Sequence, residues 1–159
     1  MANRTAVIET SHGTIEFELL EEDAPKTTEN FILLAQRGYY EGVIFHRVIK
    51  GFMIQGGDPT GTGNGGKSAW GGNFRDEINP SSPLYKTGYT KGTVAMANAG
   101  PHTNGSQFFI MHEDYELPPT YTIFGKVISG QDIVDFIAET ETDEDDKPKS
   151  PVTITDVTV

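Results

Sequence analysis

Two segments carry the residues that could do chemistry. One runs Phe45-His46-Arg47-Val48-Ile49-Lys50-Gly51-Phe52-Met53-Ile54-Gln55-Gly56-Gly57-Asp58. The other runs Met96-Ala97-Asn98-Ala99-Gly100-Pro101-His102-Thr103-Asn104-Gly105-Ser106-Gln107-Phe108-Phe109-Ile110. Together they supply an arginine, large apolar side chains and carboxamides, with no nucleophile set beside a base. Such an inventory suits a grip on an uncharged, partly apolar group lying next to a polar one. It serves hydrolysis poorly.

Other patterns promise chemistry and fail on context. Gly61 to Ser68 fits the phosphate-loop pattern G-x-x-x-x-G-K-[ST] letter for letter. That device needs a strand before it and a helix after it, so that helix N-terminal amides meet the phosphates. Here Ser68-Ala69-Trp70-Gly71-Gly72 follows, and adjacent glycines oppose a helix. An ordered glycine loop is the better reading. An EF-hand begun at Asp143 would need glycine sixth and glutamate twelfth, where the chain has Pro148 and Ile154. The histidines His12, His46, His102 and His112 show no metalloprotease spacing, and no Gly-x-Ser-x-Gly elbow occurs. No metal and no cofactor are expected.

Composition narrows the field further. The 159 residues suit one domain, residues 1–159. Lys plus Arg number 12 against 23 Asp plus Glu, a net charge of −11, which argues against nucleic acid or an anionic membrane as partner. The absence of cysteine excludes disulfides, thiolate catalysis and Cys-ligated metals. No apolar run is long enough to span a bilayer, and the first residues lack a signal-peptide core. A cytoplasmic monomer is the expectation.

The elements that must position the two segments are legible from periodicity. In residues 14–20, Ile15, Phe17 and Leu19 alternate with polar residues, and Ser11-His12-Gly13 turns the chain from a preceding strand at 6–10. Asp23-Ala24-Pro25 reads as a capped helix start, with Phe31, Leu34 and Ala35 as the apolar stripe and Gly38 as the stop. Short strands are expected at 43–48, 52–55, 93–97, 108–111 and 123–127. Residues 56–72 form a glycine-rich functional loop. Ser129-Gly130-Gln131-Asp132 resembles a capping box opening a second helix that buries Ile133, Val134 and Ile137. Residues 142–150 read as a charged loop, and residues 152–159 as a closing strand whose apolar phase slips between Ile154 and Val157, as at a bulge. The helices do not alternate with the strands, so the fold is mostly β, an antiparallel sheet or barrel capped by two helices.

Both chemical segments closely resemble the cyclophilin family of peptidyl-prolyl cis-trans isomerases. The likeness runs in order through Pro25-Lys26-Thr27-Thr28-Glu29-Asn30-Phe31, Gly65-Gly66-Lys67-Ser68, Phe124-Gly125-Lys126-Val127 and the final strand. It implies an eight-stranded antiparallel closed β-barrel with two helices. It also implies Arg47 as the catalytic residue and a proline pocket of Phe52, Met53, Phe109 and Leu117. Gln55, Ala97, Asn98 and Gln107 would hold the peptide backbone, and His46 would support the site. Where many members carry a tryptophan-leucine pair and then a histidine, this chain reads Glu116-Leu117-Pro118-Pro119-Thr120-Tyr121-Thr122. Leu117 takes the tryptophan place, and Tyr121 falls near the histidine place after a one-residue deletion. That stretch is similar to prokaryotic members. The implied partners are proline-containing peptides and unfolded proteins, with weakened affinity for cyclosporin.

The residue types suit that activity. Rotation about an X–Pro bond must surmount roughly 18–20 kcal/mol of lost amide resonance. No bond is made or broken, so neither nucleophile nor metal is required. In the twisted state the proline nitrogen regains a lone pair, which a permanently charged guanidinium can hydrogen-bond. The twisted state gains more from this than the planar one, which is the condition for catalysis. A proline-binding module without catalysis would share the apolar pocket but would not need Arg47.

Overall fold

Period-two alternation divides the apolar side chains between the two faces of one sheet. The computed structural model describes residues 3–159, so the expected inclusion of residues 1 and 2 in the domain lies outside the described residues. Strands β1 (Thr5–Thr10) and β2 (Gly13–Leu19) form the opening hairpin, and Ile15, Phe17 and Leu19 are fully buried. The others are β3 (Arg47–Ile49), β4 (Met53–Gly56), β5 (Thr93–Met96), β6 (Phe108–Met111), β7 (Ile123–Ser129) and β8 (Ile154–Thr158). They make one eight-stranded sheet in the order β3-β4-β6-β5-β7-β2-β1-β8, with antiparallel neighbours throughout. The slip expected in the last strand is present: Glu9 faces Asp156 while Thr10 faces Ile154, so the β1–β8 register shifts there.

The expectation of a closed barrel needs correction at its seam. Among the described residues β3 and β8 share no ladder. Instead the chain just before β3 leans on the start of β8. Ile44 bridges Thr153, Phe45 N donates to Val152 O at 3.0 Å, and Ile154 N donates to Val43 O at 2.8 Å. The sheet therefore curls nearly shut, and the strand expected at 43–48 pairs as a strand only from Arg47.

Helix α1 (Pro25–Gln36) buries Phe31, Leu34 and Ala35 as expected, and Phe31 sits among Phe17, Tyr40, Phe108 and Phe124 at ring separations of 5.3–5.7 Å. Its cap is not Asp23. The Glu77 carboxylate accepts from Lys26 N at 3.2 Å, Thr27 N at 2.6 Å and the Thr27 hydroxyl at 2.8 Å. A charge-bearing residue from another loop thus satisfies the orphan amides of the first turn. Helix α2 (Pro83–Thr87) is short and unanticipated; it brings Tyr85 inward. Helix α3 (Gln131–Ala138) buries Val134, Ile137 and Ala138, but the expected capping box does not form. Ser129 belongs to β7, and Gly130 caps with φ 90° in a position where a Cβ would strike the Thr14 carbonyl.

Strands β4, β5 and β6 are buried on both faces. Ile54, Val94, Met96, Phe108 and Ile110 join the barrel core. Met53, Ala95, Phe109 and Met111 point the other way and build a second apolar cluster with Tyr85, Tyr89 and Ile123. That outer cluster is the floor on which the candidate site rests.

Candidate functional site

Register alone aligns the central residues. Arg47 stands opposite Gln55 across β3–β4, Gln55 opposite Phe109 across β4–β6, and Phe109 opposite Ala95 across β5–β6. Side chains in one such row share a face, so the guanidinium base, the carboxamide and the phenyl ring lie side by side, with roughly 10 Å between the outer two backbones. One residue pair further along, Met53 adds its side chain to the same face, and the β3–β4 turn adds Phe52. The loop beyond β6 brings Leu117 and Tyr121 over the top. The result is a cavity of about 120 Å³ lined by Arg47, Phe52, Met53, Gln55, Ala97, Asn98, Phe109, Leu117 and Tyr121. Nine of the residues singled out from sequence therefore meet at one place.

The walls are held from behind. Phe109 meets the Tyr121 ring edge-on at 5.5 Å and 86°. Tyr89 donates its hydroxyl to Tyr121 O at 2.6 Å and accepts from Tyr121 N at 3.2 Å, and burial pushes the Tyr89 phenol up to about 12. Phe52 is stacked on Tyr115 at 4.3 Å. Arg47 is exposed, and none of the ion pairs among the described residues involves it. Its donors face the cavity mouth uncommitted. On the polar side, Gln55 Nε2 donates to Gln107 Oε1 at 3.0 Å, while Gln107 Nε2 donates to Gly63 O at 2.9 Å and Gly65 O at 3.0 Å. These bonds fix the orientation of the Gln55 amide, which borders the cavity. Asn98 donates to Thr120 O at 2.9 Å and so ties the 118–121 loop to the strand end.

This combination of an unpaired arginine, an apolar cavity and an oriented carboxamide can hold a ring still while polarising an amide beside it. A family model described as cyclophilin type peptidyl-prolyl cis-trans isomerase/CLD matches residues 5–159. The chain belongs to the cyclophilin-type peptidyl-prolyl cis-trans isomerases. It is 47% identical to peptidyl-prolyl cis-trans isomerase CYP18-1 of Arabidopsis thaliana over 156 residues, covering 98% of this chain and 95% of that one. It is 52% identical to peptidyl-prolyl cis-trans isomerase ppi1 of Schizosaccharomyces pombe over 153 residues, covering 92% and 93%. The cyclophilin type isomerase of Cryptosporidium parvum, crystallised in the presence of the dipeptide Ala-Pro, superposes with a TM-score of 0.91 at 42% identity over 98% of each chain.

Two of the expected site residues, Gln107 and His46, lie outside the 120 Å³ cavity of this cyclophilin. Gln107 lies in the adjoining cavity of about 320 Å³, which continues the groove past Gln55, Ala97 and Asn98 toward Asn73 and Thr103. His46 does not line the Arg47–Phe109 cavity. Strand alternation turns it away from Arg47 to a buried position under Gly63, its Nδ1 without a protein partner. Burial pulls its imidazole below the ordinary histidine range, Asp58 opposes that, and Lys147 and Arg47 add to it. His46 therefore supports the loop as a neutral ring. Sequence reasoning missed Tyr89 and Tyr115, which lie outside the two chemical segments, and gave no role to Thr103, which lies inside the second.

The glycine loop explains its own phosphate-like pattern. Asp58 is fully buried, and its carboxylate accepts from Thr60 N at 2.9 Å, Thr62 N at 3.2 Å, Gly63 N at 2.7 Å and Gly65 N at 3.0 Å. The amides that a phosphate would need are already filled by an internal anion. Gly63 turns with φ 89°, and a Cβ on Gly65 would overlap the Asp58 carboxylate, which is why glycine recurs here. The loop wraps a carboxylate and in doing so presents the Gly63 and Gly65 carbonyls to Gln107.

Proposed function

We propose that this cyclophilin accelerates rotation about X–Pro bonds of proline-containing peptides and unfolded chains at the Arg47–Phe109 cavity. The proline ring packs against Phe52, Met53, Phe109 and Leu117, with Tyr121 closing one side. The cavity suits a single ring, which it holds fixed while the preceding carbonyl swings. Arg47 donates to the proline nitrogen as resonance is lost, and the Gln55 carboxamide with the Asn98 backbone holds the peptide on the polar side. The twisted imide gains this bond and the planar imide does not, so the barrier falls. The observation that carries the reading is the uncommitted Arg47 guanidinium in register with Gln55 and Phe109 on the cavity face. The Ala-Pro dipeptide used with the Cryptosporidium relative supports the substrate class. The same cavity would take cyclosporin weakly, because Leu117 offers no N–H donor, and the protein would work as a monomer.

Two-dimensional exchange NMR on a short Ala-Pro peptide tests this directly. Catalytic amounts of protein should produce cis–trans exchange within the mixing time. Exchange that stays at the unaided rate, tens to hundreds of seconds, in the presence of folded protein would reject it.

A further inference from the structure

We propose that His112 is a positioning residue, whose imidazole holds the turn at Gly51 and thereby the Phe52 wall of the cavity. This rests on the proposed proline cavity and identifies what keeps one of its walls in place. Phe52 lies in the β3–β4 turn, where Gly51 has φ 81° and no strand partner fixes the ring. Three bonds from the end of β6 and the residues after it restrain this turn. Gly51 N donates to His112 Nδ1 at 2.9 Å, His112 N donates to Phe52 O at 2.8 Å, and Glu113 N donates to Phe52 O at 3.4 Å. Only the first depends on a side chain.

The imidazole is itself braced. It is almost wholly buried, at 6% exposure. Because Nδ1 accepts, the ring proton sits on Nε2, which faces Asp135 Oδ1 on α3 at 3.4 Å and Glu113 Oε1 at 3.8 Å. Asp135 is held in turn by Gln131 Nε2 at 3.4 Å and by Lys91 Nζ at 3.4 Å. A rigid line thus runs from helix α3 through the ring to the turn that carries Phe52. His112 touches no substrate and its side chain does not line the cavity. Its effect on catalysis is through Phe52.

A set of His112 variants in the peptide assay tests the proposal. His112→Leu keeps the bulk and removes the acceptor, so KM should rise about fivefold while kcat changes less than about twofold, the scale of one lost neutral hydrogen bond. His112→Asn restores an acceptor at the same branch of the side chain and should stay within about twofold of the unaltered protein. Amide hydrogen exchange should show Gly51 protection lost in His112→Leu and kept in His112→Asn. Imidazole nitrogen shifts of the unaltered protein, which need no variant, should show Nδ1 bare and Nε2 protonated. A folded His112→Leu with unchanged KM, a His112→Asn as impaired as the leucine variant, or the opposite tautomer would each overturn the assignment. If the unaltered protein fails to catalyse exchange, the proline-cavity reading fails, whereas Gly51 protection and the tautomer still report on His112 alone.

Discussion

Replacing Asp58 by asparagine should weaken both the fold and the groove beside Gln107. The carboxylate fills both oxygens: Oδ1 accepts from Thr60 N and the Thr60 hydroxyl, Oδ2 from Thr62, Gly63 and Gly65 N. Burial raises this carboxyl, but the bonds from Thr60, Gly65 and Gly63 outweigh that and leave it at about 2, against 3.8 for an ordinary aspartate. That depression corresponds to about 2 kcal/mol of stability. The sign follows from the direction: a carboxyl whose folded value lies below its unfolded one contributes in full above the unfolded value and loses that contribution as pH falls toward the folded one. An asparagine of the same shape must turn an NH₂ toward amide donors, and its remaining bonds are neutral. The cost at pH 7 should be about 2–4 kcal/mol. For a domain of this size that lowers Tm by roughly 5–15 °C. Calorimetry of both proteins at pH 7 and near pH 2.5 checks it, and the gap should shrink by most of the 2 kcal/mol at the lower pH. Because Gln107 hangs on Gly63 O and Gly65 O, KM for an Ala-Pro peptide should also rise severalfold. A Tm within about 1 °C of the unaltered protein at pH 7 would refute the idea that Asp58 organises the loop.

Arg47→Ala should leave Tm nearly unchanged, since the residue is exposed and unpaired, yet lower kcat/KM by roughly 30–150-fold, the effect of deleting one pre-organised donor; activity within about twofold in a folded variant would remove its assigned role. Millimolar ATP with magnesium should not raise Tm, because Asp58 already occupies the loop amides; a reproducible rise abolished by Lys67→Ala would restore the phosphate reading. Cyclosporin should bind about 10- to 100-fold more weakly than to members with the tryptophan, and Leu117→Trp should tighten it while changing peptide turnover little, as read by calorimetric titration. A folded Leu117→Trp with unchanged cyclosporin affinity would place Leu117 outside the inhibitor's contact.

Much of this cyclophilin was determined by its sequence alone, because much of it is local. The alternation Ile15, Phe17, Leu19 can serve only a half-buried strand, and the slip between Ile154 and Val157 is the bulge seen against Glu9 and Thr10. The segments 45–58 and 96–110 hold seven of the cavity residues, and period-two alternation aims Arg47, Met53, Gln55 and Phe109 to one face. What only the tertiary structure decided are the pairings between residues far apart in the chain. Asp23 and Ser129 are well placed by spacing to cap their helices, yet Glu77, fifty residues from Thr27, and the left-handed Gly130 do so instead. The match at Gly61–Ser68 has the letters of a phosphate loop, but letters do not say where backbone amides point, and here they converge on Asp58. His46 neighbours Arg47 in sequence and is turned away from it by the same alternation that placed Arg47 at the mouth. His112 gives no signal until Gly51 and Asp135 are brought against its two nitrogens. Periodicity and turn chemistry act over a few residues and can be read along the chain; a hydrogen bond that satisfies a buried group is chosen by whatever the whole fold brings within 3 Å of it.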